Sequence, residues 1–296
     1  MSTVGHLPRS VLITGAEGGI ASGLAAAFTA AGIPMWLTTR RHDCVSPRCL
    51  FMDLSESIEH WQGPPAPVDV AFLCAAITSQ AQCESQSAAT ARVNVTNTVQ
   101  LARKLAATGT FVVFVSTNLV LDGETPFANT DHPYNPQTVY GRQKAEAERQ
   151  LLNLDQQVAI VRVGKVIVPG MPLFENWADD LRSGKRITPY HDLIMAPISL
   201  SFAVEVLRRV AQQRRPGILH ATAARDMSYA EAALEIARKL GADPTLVEPV
   251  SHLQSVFAPR YAALDTAGLA SVSLRAPQPE QAFDHFAVSD VAKEVK

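Results

Sequence analysis

Between Arg9 and Arg162 the chain alternates short apolar runs with longer stretches of helical spacing, and this rhythm narrows the possible folds more than any other feature. The runs fall at 10–14, 33–39, 48–52, 68–74, 110–116 and 157–163. Most do not alternate polar with apolar residues, as strands covered on both faces must not, so a parallel sheet wound by helices on both sides is predicted. Helices are predicted at 20–31, closed by Gly32 and Pro34, at 88–107, closed by Gly109, and at 140–152. Beyond Val163 the rhythm loosens. Helices are expected at 174–183, 202–212, 229–240 and near the C-terminus, with short strands at 218–221 and 246–250. The expected organisation is one α/β domain over 1–165 and a smaller α/β lobe over 166–296, some of whose segments return to the first, with a cleft between them.

The chain has 296 residues, 47% of them hydrophobic, and a net charge of −2, so no basic excess advertises a nucleic acid or a lipid surface as partner. A small molecule is the better expectation. The four cysteines, Cys44, Cys49, Cys74 and Cys83, include no Cys-x-x-Cys pair and read as free thiols. His42, Cys44 and Cys49 match no common zinc spacing, so no metal is expected. Without a signal-like leader or a run of about 20 apolar residues, neither membrane insertion nor export is expected, and a cytoplasmic location follows.

The first run, Ser10-Val-Leu-Ile-Thr-Gly15, leads through Ala-Glu-Gly18-Gly19-Ile-Ala21 directly into a helix. This is the context of a dinucleotide-binding turn in a doubly wound sheet of the Rossmann type: Gly15 permits the tight turn, Gly18 lets the backbone approach a diphosphate, and Ala21 lets helix pack on strand. The bland alternative is a tight strand–helix turn with no ligand. Sites for unphosphorylated dinucleotides place an acid at the tip of the second strand, but here Leu37-Thr-Thr-Arg40-Arg41 ends in two cations, which favours NADP(H) with NAD possible. The bland alternative is that both arginines are solvated loop residues. Asp53 is a candidate to accept from the adenine amino group, or else a helix cap.

Tyr140-Gly-Arg-Gln-Lys144 puts a phenol and an ammonium one turn apart on a helix, a pattern common enough by chance to mean little alone. Its context is the strand 111–115, which delivers Ser116 and Thr117 to the sheet edge where ligands bind. A free phenol, with a pKa near 10, is a poor acid at neutral pH; a neighbouring Lys144 is expected to bring it closer to working range. Tyr140 would then protonate a carbonyl oxygen as hydride arrives, Thr117 would hold that oxygen and Lys144 would also bond a nicotinamide ribose. Read blandly, the three are a strand-end hydroxyl, a half-buried aromatic and a surface charge.

Together, Thr14-Gly-Ala-Glu-Gly18, Val70-Ala-Phe-Leu-Cys74-Ala75-Ala76, Val93-Asn94-Val95, Ser116-Thr117…Asp122-Gly123, Val139-Tyr140-Gly-Arg-Gln-Lys144, Ile160-Val-Arg162 and Leu264-Asp265-Thr266 resemble the extended short-chain dehydrogenase/reductases, and within them the dTDP-4-dehydrorhamnose reductase family. The resemblance implies NADPH-dependent reduction of a 4-keto group on a deoxysugar nucleotide, and a homodimer. It implies cofactor contacts at Gly15, Glu17, Gly18, Gly19, Ile20, Arg40, Arg41, Asp53, Leu54, Cys74, Ala75, Ala76, Asn94, Tyr140, Lys144 and Val163, with Asn94 supporting Lys144 through water. Substrate contacts are implied at Thr78, Thr117, Asn118, Tyr140, Pro197 and Arg260. The chain departs from the family where Asn118-Leu119 replace an Asp-Tyr pair, and where Leu193-Ile-Met-Ala-Pro197-Ile keeps only the proline of a substrate-side motif. An NAD-dependent nucleotide-sugar 4-epimerase and a non-catalytic NADP-binding regulatory subunit are the alternatives; Arg40 and Arg41 argue against the first and the intact triad against the second.

Overall fold

The computed structural model describes residues 7–251 and 257–287. Seven parallel strands form the main sheet: β1 (Val11–Ile13), β2 (Met35–Thr39), β3 (Cys49–Phe51), β4 (Val70–Leu73), β5 (Phe111–Thr117), β6 (Val158–Val163) and, after three short strands, β10 (Gly217–Ala221). Their order is β10-β6-β5-β4-β1-β2-β3, so the chain winds outward from β1 in one direction, then returns to β4 and winds in the other. That reversal opens a crevice at the carboxyl ends of β1 and β4, where open α/β sheets bind ligands.

The unbroken apolar runs have a simple cause: successive residues feed two different cores. Val11, Ile13, Val70, Phe72, Phe111 and Val113 pack on one face, beneath α1 (Gly19–Ala30) and α7 (Leu200–Gln213). Leu12, Ala71, Leu73, Val112 and Phe114 pack on the other, against a layer that includes α4 (Thr98–Ala106) and α5 (Val139–Leu152). Phe72 and Leu12 are 0% exposed, and truncating a buried side chain of this kind to alanine costs about 2–5 kcal/mol.

The expected helix at 88–107 is divided. After α2 (Gln80–Ser85), α3 (Ser87–Ala91) runs into a π-helical turn at Arg92–Asn97 before α4 begins. The wider turn carries Asn94 and Asn97, each of which bonds backbone of the preceding loops.

The remaining elements form a third core. α6 (Pro172–Arg182) and α8 (Tyr229–Leu240) pack with a 3₁₀ segment at Pro279–Phe286 around Phe174, Ile236 and Phe283. Two-stranded pairings β7 (Val166–Ile167) with β9 (Ile198–Ser199), and β8 (Ile194–Met195) with β11 (Met227–Ser228), lie beside it. Two segments beyond 165 return to the main α/β body: α7 lies against α1, and β10 pairs with β6. The strand expected at 246–250 is reduced to isolated bridges, Ile187 to Val247 and Tyr190 to Val250. No helix among the described residues is long and apolar enough to cross a membrane.

Candidate active site

A cavity of about 650 Å³ lies over the carboxyl ends of β1, β2 and β4. Gly15, Glu17, Gly18, Arg40, Arg41, Asp53, Leu54, Cys74, Ala75, Ala76 and Thr78 line it, so these predicted residues are brought together; Thr38, Thr39, Met52, Ser55, Ile77, Ser79, Gln82 and Val93 line it too and were missed. Only Thr38 and Thr39 carried a readable signal, two hydroxyls at the tip of a strand.

The turn fits an extended anionic ligand. Gly15 has φ +74°, and a Cβ there would stand 3.1 Å from Ala75, so only glycine leaves the floor open. Its N–H donates to Thr38 Oγ1 at 3.2 Å, while Thr14 Oγ1 accepts from Cys74 N at 3.0 Å and Ala75 N at 3.1 Å, which ties β4 to β1 under the groove. Gly18, the N-cap of α1, supplies no side-chain cap, so the first N–H groups of that helix are available to an anion. Gly19 is required for another reason: a Cβ would meet Val168 at 2.8 Å, where the chain beyond β7 crosses over α1. Ile20 follows it on α1, half-buried. Asp53 Oδ1 accepts from Ser55 N at 2.8 Å, capping a turn rather than a helix. The two arginines differ. Arg41 is bound to Asp43 at 2.5 Å, whereas Arg40 is exposed and engaged by no carboxylate among the described residues.

Beyond the cavity, the carboxyl end of β5 carries Thr117, 8% exposed, whose Oγ1 accepts from Leu119 N at 3.2 Å. α5 starts at the cap Thr138, which accepts from Gly141 N at 3.0 Å, and Glu84 of α2 accepts from Val139 N at 3.0 Å. Helix and strand end meet because residue 141 is glycine: a Cβ there would stand 2.2 Å from the carbonyl oxygen of Leu119. This contact sets Tyr140 beside the turn that follows Thr117.

Lys144 is 2% exposed; its ammonium donates to Val115 O at 2.7 Å and lies 3.7 Å above the Phe114 ring centroid. Burial pulls its pKa down to about 7, against the opposing pull of Glu148 and Cys74. Burial, and secondarily Cys83, push the Tyr140 phenol well above its ordinary value. The expectation that Lys144 lowers the phenol's pKa is therefore corrected: desolvation dominates both groups, and the lysine's nitrogen is committed to β5. A phenol so placed stays protonated at neutral pH.

Under this pair lies a charged core that sequence reasoning missed. Glu148, one turn after Lys144, accepts from Arg162 Nη2 at 2.8 Å and Nε at 3.0 Å, from Tyr134 at 2.9 Å, and from Ser116. Arg162 and Glu148 are both 0% exposed. Arg162 Nη1 meets His220 Nε2 at 3.3 Å, and His220 Nδ1 lies 3.0 Å from Asp265 O, so the imidazole accepts from the guanidinium and donates to the carbonyl. Burial and Arg162 lower its pKa to about 4, which keeps it neutral.

Asn94 does not reach the lysine directly. Its amide bonds both backbone groups of Ile77, at 2.9 and 3.0 Å, and donates to Gln143 Oε1 at 2.7 Å, pinning the loop after β4 to α5. Val163 closes β6 at 8% exposure. After β5, Asn118 Nδ2 donates to Ala262 O at 3.2 Å, and Asp226 Oδ1 accepts from Ala262 N and Ala263 N at 2.8 and 2.6 Å. Gly123, with φ +73°, lets Pro259 approach, which leaves Arg260 exposed with its guanidinium 5.4 Å over Tyr261. Pro197 is buried between β8 and β9.

The family model described as RmlD substrate binding domain matches residues 9–288. The chain is 31% identical over 254 residues, 82% of its own length and 80% of the other's, to the dTDP-4-dehydrorhamnose reductase of Mycobacterium tuberculosis. It is 26% identical over 284 residues, covering 90% of this chain and 83% of the relative, to methionine adenosyltransferase 2 subunit beta of Mus musculus. A crystal structure of dTDP-4-dehydrorhamnose reductase from Bacillus anthracis in complex with NADP superposes with a TM-score of 0.81 at 19% identity, over 94% of this chain and 97% of that one. With nearly the whole length matched, the chain belongs to the RmlD substrate binding domain family.

Proposed function

We propose that this protein is an NADPH-dependent reductase of a 4-keto group on a deoxysugar nucleotide. The observation that supports the reading is the seating of α5 on the end of β5, with Lys144 bonded to Val115 O and Gly141 against Leu119 O, beside a glycine-turn cavity that suits a dinucleotide. The kinship with the Mycobacterium tuberculosis reductase supports the choice of substrate class.

Gly15, Gly18 and the N-terminus of α1 would hold the diphosphate, Asp53 and Leu54 the adenine, and Lys144 the nicotinamide ribose. When bound, the dinucleotide supplies the hydride. Tyr140, kept protonated by burial, delivers the proton to the carbonyl oxygen. Thr117 fixes that oxygen, with its hydroxyl oriented by Leu119 N. Lys144, bonded to Val115 O, keeps α5 and its Tyr140 fixed against β5 during the transfer. The loop between Asn118 and Tyr134, tied to Ala262 at one end and to Glu148 at the other, would form the wall for the sugar. The resemblance alone supports a cytoplasmic homodimer.

A second reading, a dinucleotide-binding subunit without turnover, draws on the likeness to the adenosyltransferase beta subunit. Mixing the protein with NADPH and a panel of 4-keto sugar nucleotides, and following loss of the reduced nicotinamide band, decides between them. Oxidation with one sugar supports the reductase; tight NADPH binding without turnover on any sugar supports the subunit.

A further inference from the structure

Glu17 is an acid that a phosphate-binding turn has no need of. Where a dinucleotide lacks a 2′-phosphate, the carboxylate that grips its ribose ordinarily stands at the tip of the second strand. Here that tip carries Thr39, Arg40 and Arg41, and the carboxylate arrives from the glycine turn instead. Thr39, 1% exposed, donates its hydroxyl to Glu17 and accepts from Arg41 N at 3.0 Å, so a buried side chain pins the acid at the strand tip.

Glu17, Thr39, Arg40 and Arg41 line one cavity. Arg41 is held by Asp43 through two bonds, at 2.5 and 3.2 Å, which leaves Arg40 as the cation free of a carboxylate among the described residues. A 2′-phosphate entering this corner would be drawn by Arg40 and repelled by Glu17. A ribose diol would instead find an acceptor ready.

We propose that Glu17 narrows this chain's preference for NADPH over NADH, accepting from the adenosine ribose hydroxyls of NAD(H) and working against Arg40 when a 2′-phosphate is present. The inference rests on the dinucleotide reading of the cavity. It makes the site an opposed pair, with discrimination between the two cofactors weaker than two arginines alone would give.

The test is the affinity of the purified full chain for NADPH and for NADH, by fluorescence titration, in the wild type, Glu17→Gln and Arg40→Ala. The glutamine variant keeps an acceptor for Thr39 and removes the charge. It should tighten NADPH roughly tenfold and weaken NADH by a few-fold, an effect that shrinks as salt is raised. Arg40→Ala should weaken NADPH selectively. A Glu17→Gln variant that changes both affinities by the same factor would show that the carboxylate merely pins the loop, and overturns the inference. A wild type that binds neither dinucleotide overturns the reading beneath it instead.

Discussion

Lys144 reaches back from α5 to donate to the carbonyl oxygen of Val115, 2.7 Å away on β5. Two residues later the same strand presents Thr117, so a single side chain holds the helix of the proton donor and the strand of the oxygen-binding hydroxyl in one frame. Lys144→Met would keep the apolar contact with Phe114 and lose the donor. The fold should survive while affinity for the dinucleotide drops about tenfold or more. Titration of cofactor fluorescence checks this, and an unchanged affinity would show that the ammonium does not serve the ribose.

The same lysine predicts a pH dependence. Its folded value, about 7, lies below its unfolded value of about 10.4, so the folded protein sheds this proton first as pH rises. Stability from this group is therefore gained between about pH 7 and 10, while any binding that needs the ammonium fades above about 7. Glu148 is the larger of the two groups favouring the charged form. In Glu148→Gln the loss of cofactor affinity should begin at lower pH than in the wild type; a shift to higher pH contradicts the assignment. The variant should also be less stable by about 3–5 kcal/mol, because Arg162 is left buried and unpaired.

His220 predicts sensitivity to acid. Its folded value of about 4 lies below the ordinary 6.5, so the unfolded chain binds its proton first as pH falls. Stability present above about pH 6.5 is lost progressively down to about 4, by up to about 3 kcal/mol. His220→Gln can still accept from Arg162 and cannot titrate. Its denaturation midpoint between pH 4 and 6.5 should vary less than that of the wild type; equal slopes would place the titrating group elsewhere.

Gly141→Ala tests the approach of α5 to β5. The added Cβ would stand 2.2 Å from the Leu119 carbonyl oxygen, a backbone atom that cannot swing aside. A loss of about 1–3 kcal/mol is expected, together with a fall in turnover larger than the fall in cofactor affinity, since Tyr140 moves and the glycine turn does not. Denaturant melts and steady-state kinetics read the two effects separately. A fully stable and active variant would show that helix and strand end need not touch.

The sheet and the glycine turn were legible in the sequence because both are written locally. Val11 to Ile13 must be apolar throughout when alternate residues feed two cores, and Gly15 must be glycine where Ala75, just past β4, presses on it. The edge strand β10 was harder to place: nothing within Gly217–Ala221 says that it pairs with β6 rather than with a second lobe. The break in the helix at 88–107 depends on Asn94 finding Ile77 and Gln143, partners far along the chain. For the same reason Glu148, Arg162 and His220 read as unrelated polar residues until the fold stacks them beneath Lys144. Arg40 and Arg41 look equivalent in sequence, and the pairing of one with Asp43 separates them.

The central claim is that Tyr140 hands over the proton as hydride reaches a 4-keto sugar nucleotide. The most direct measurement is the single-turnover rate of NADPH oxidation by Tyr140→Phe beside the wild type, with cofactor affinity determined on the same preparations. The account predicts oxidation slowed by about two to four orders of magnitude with affinity nearly intact. A phenylalanine variant that oxidises NADPH as fast as the wild type would contradict it.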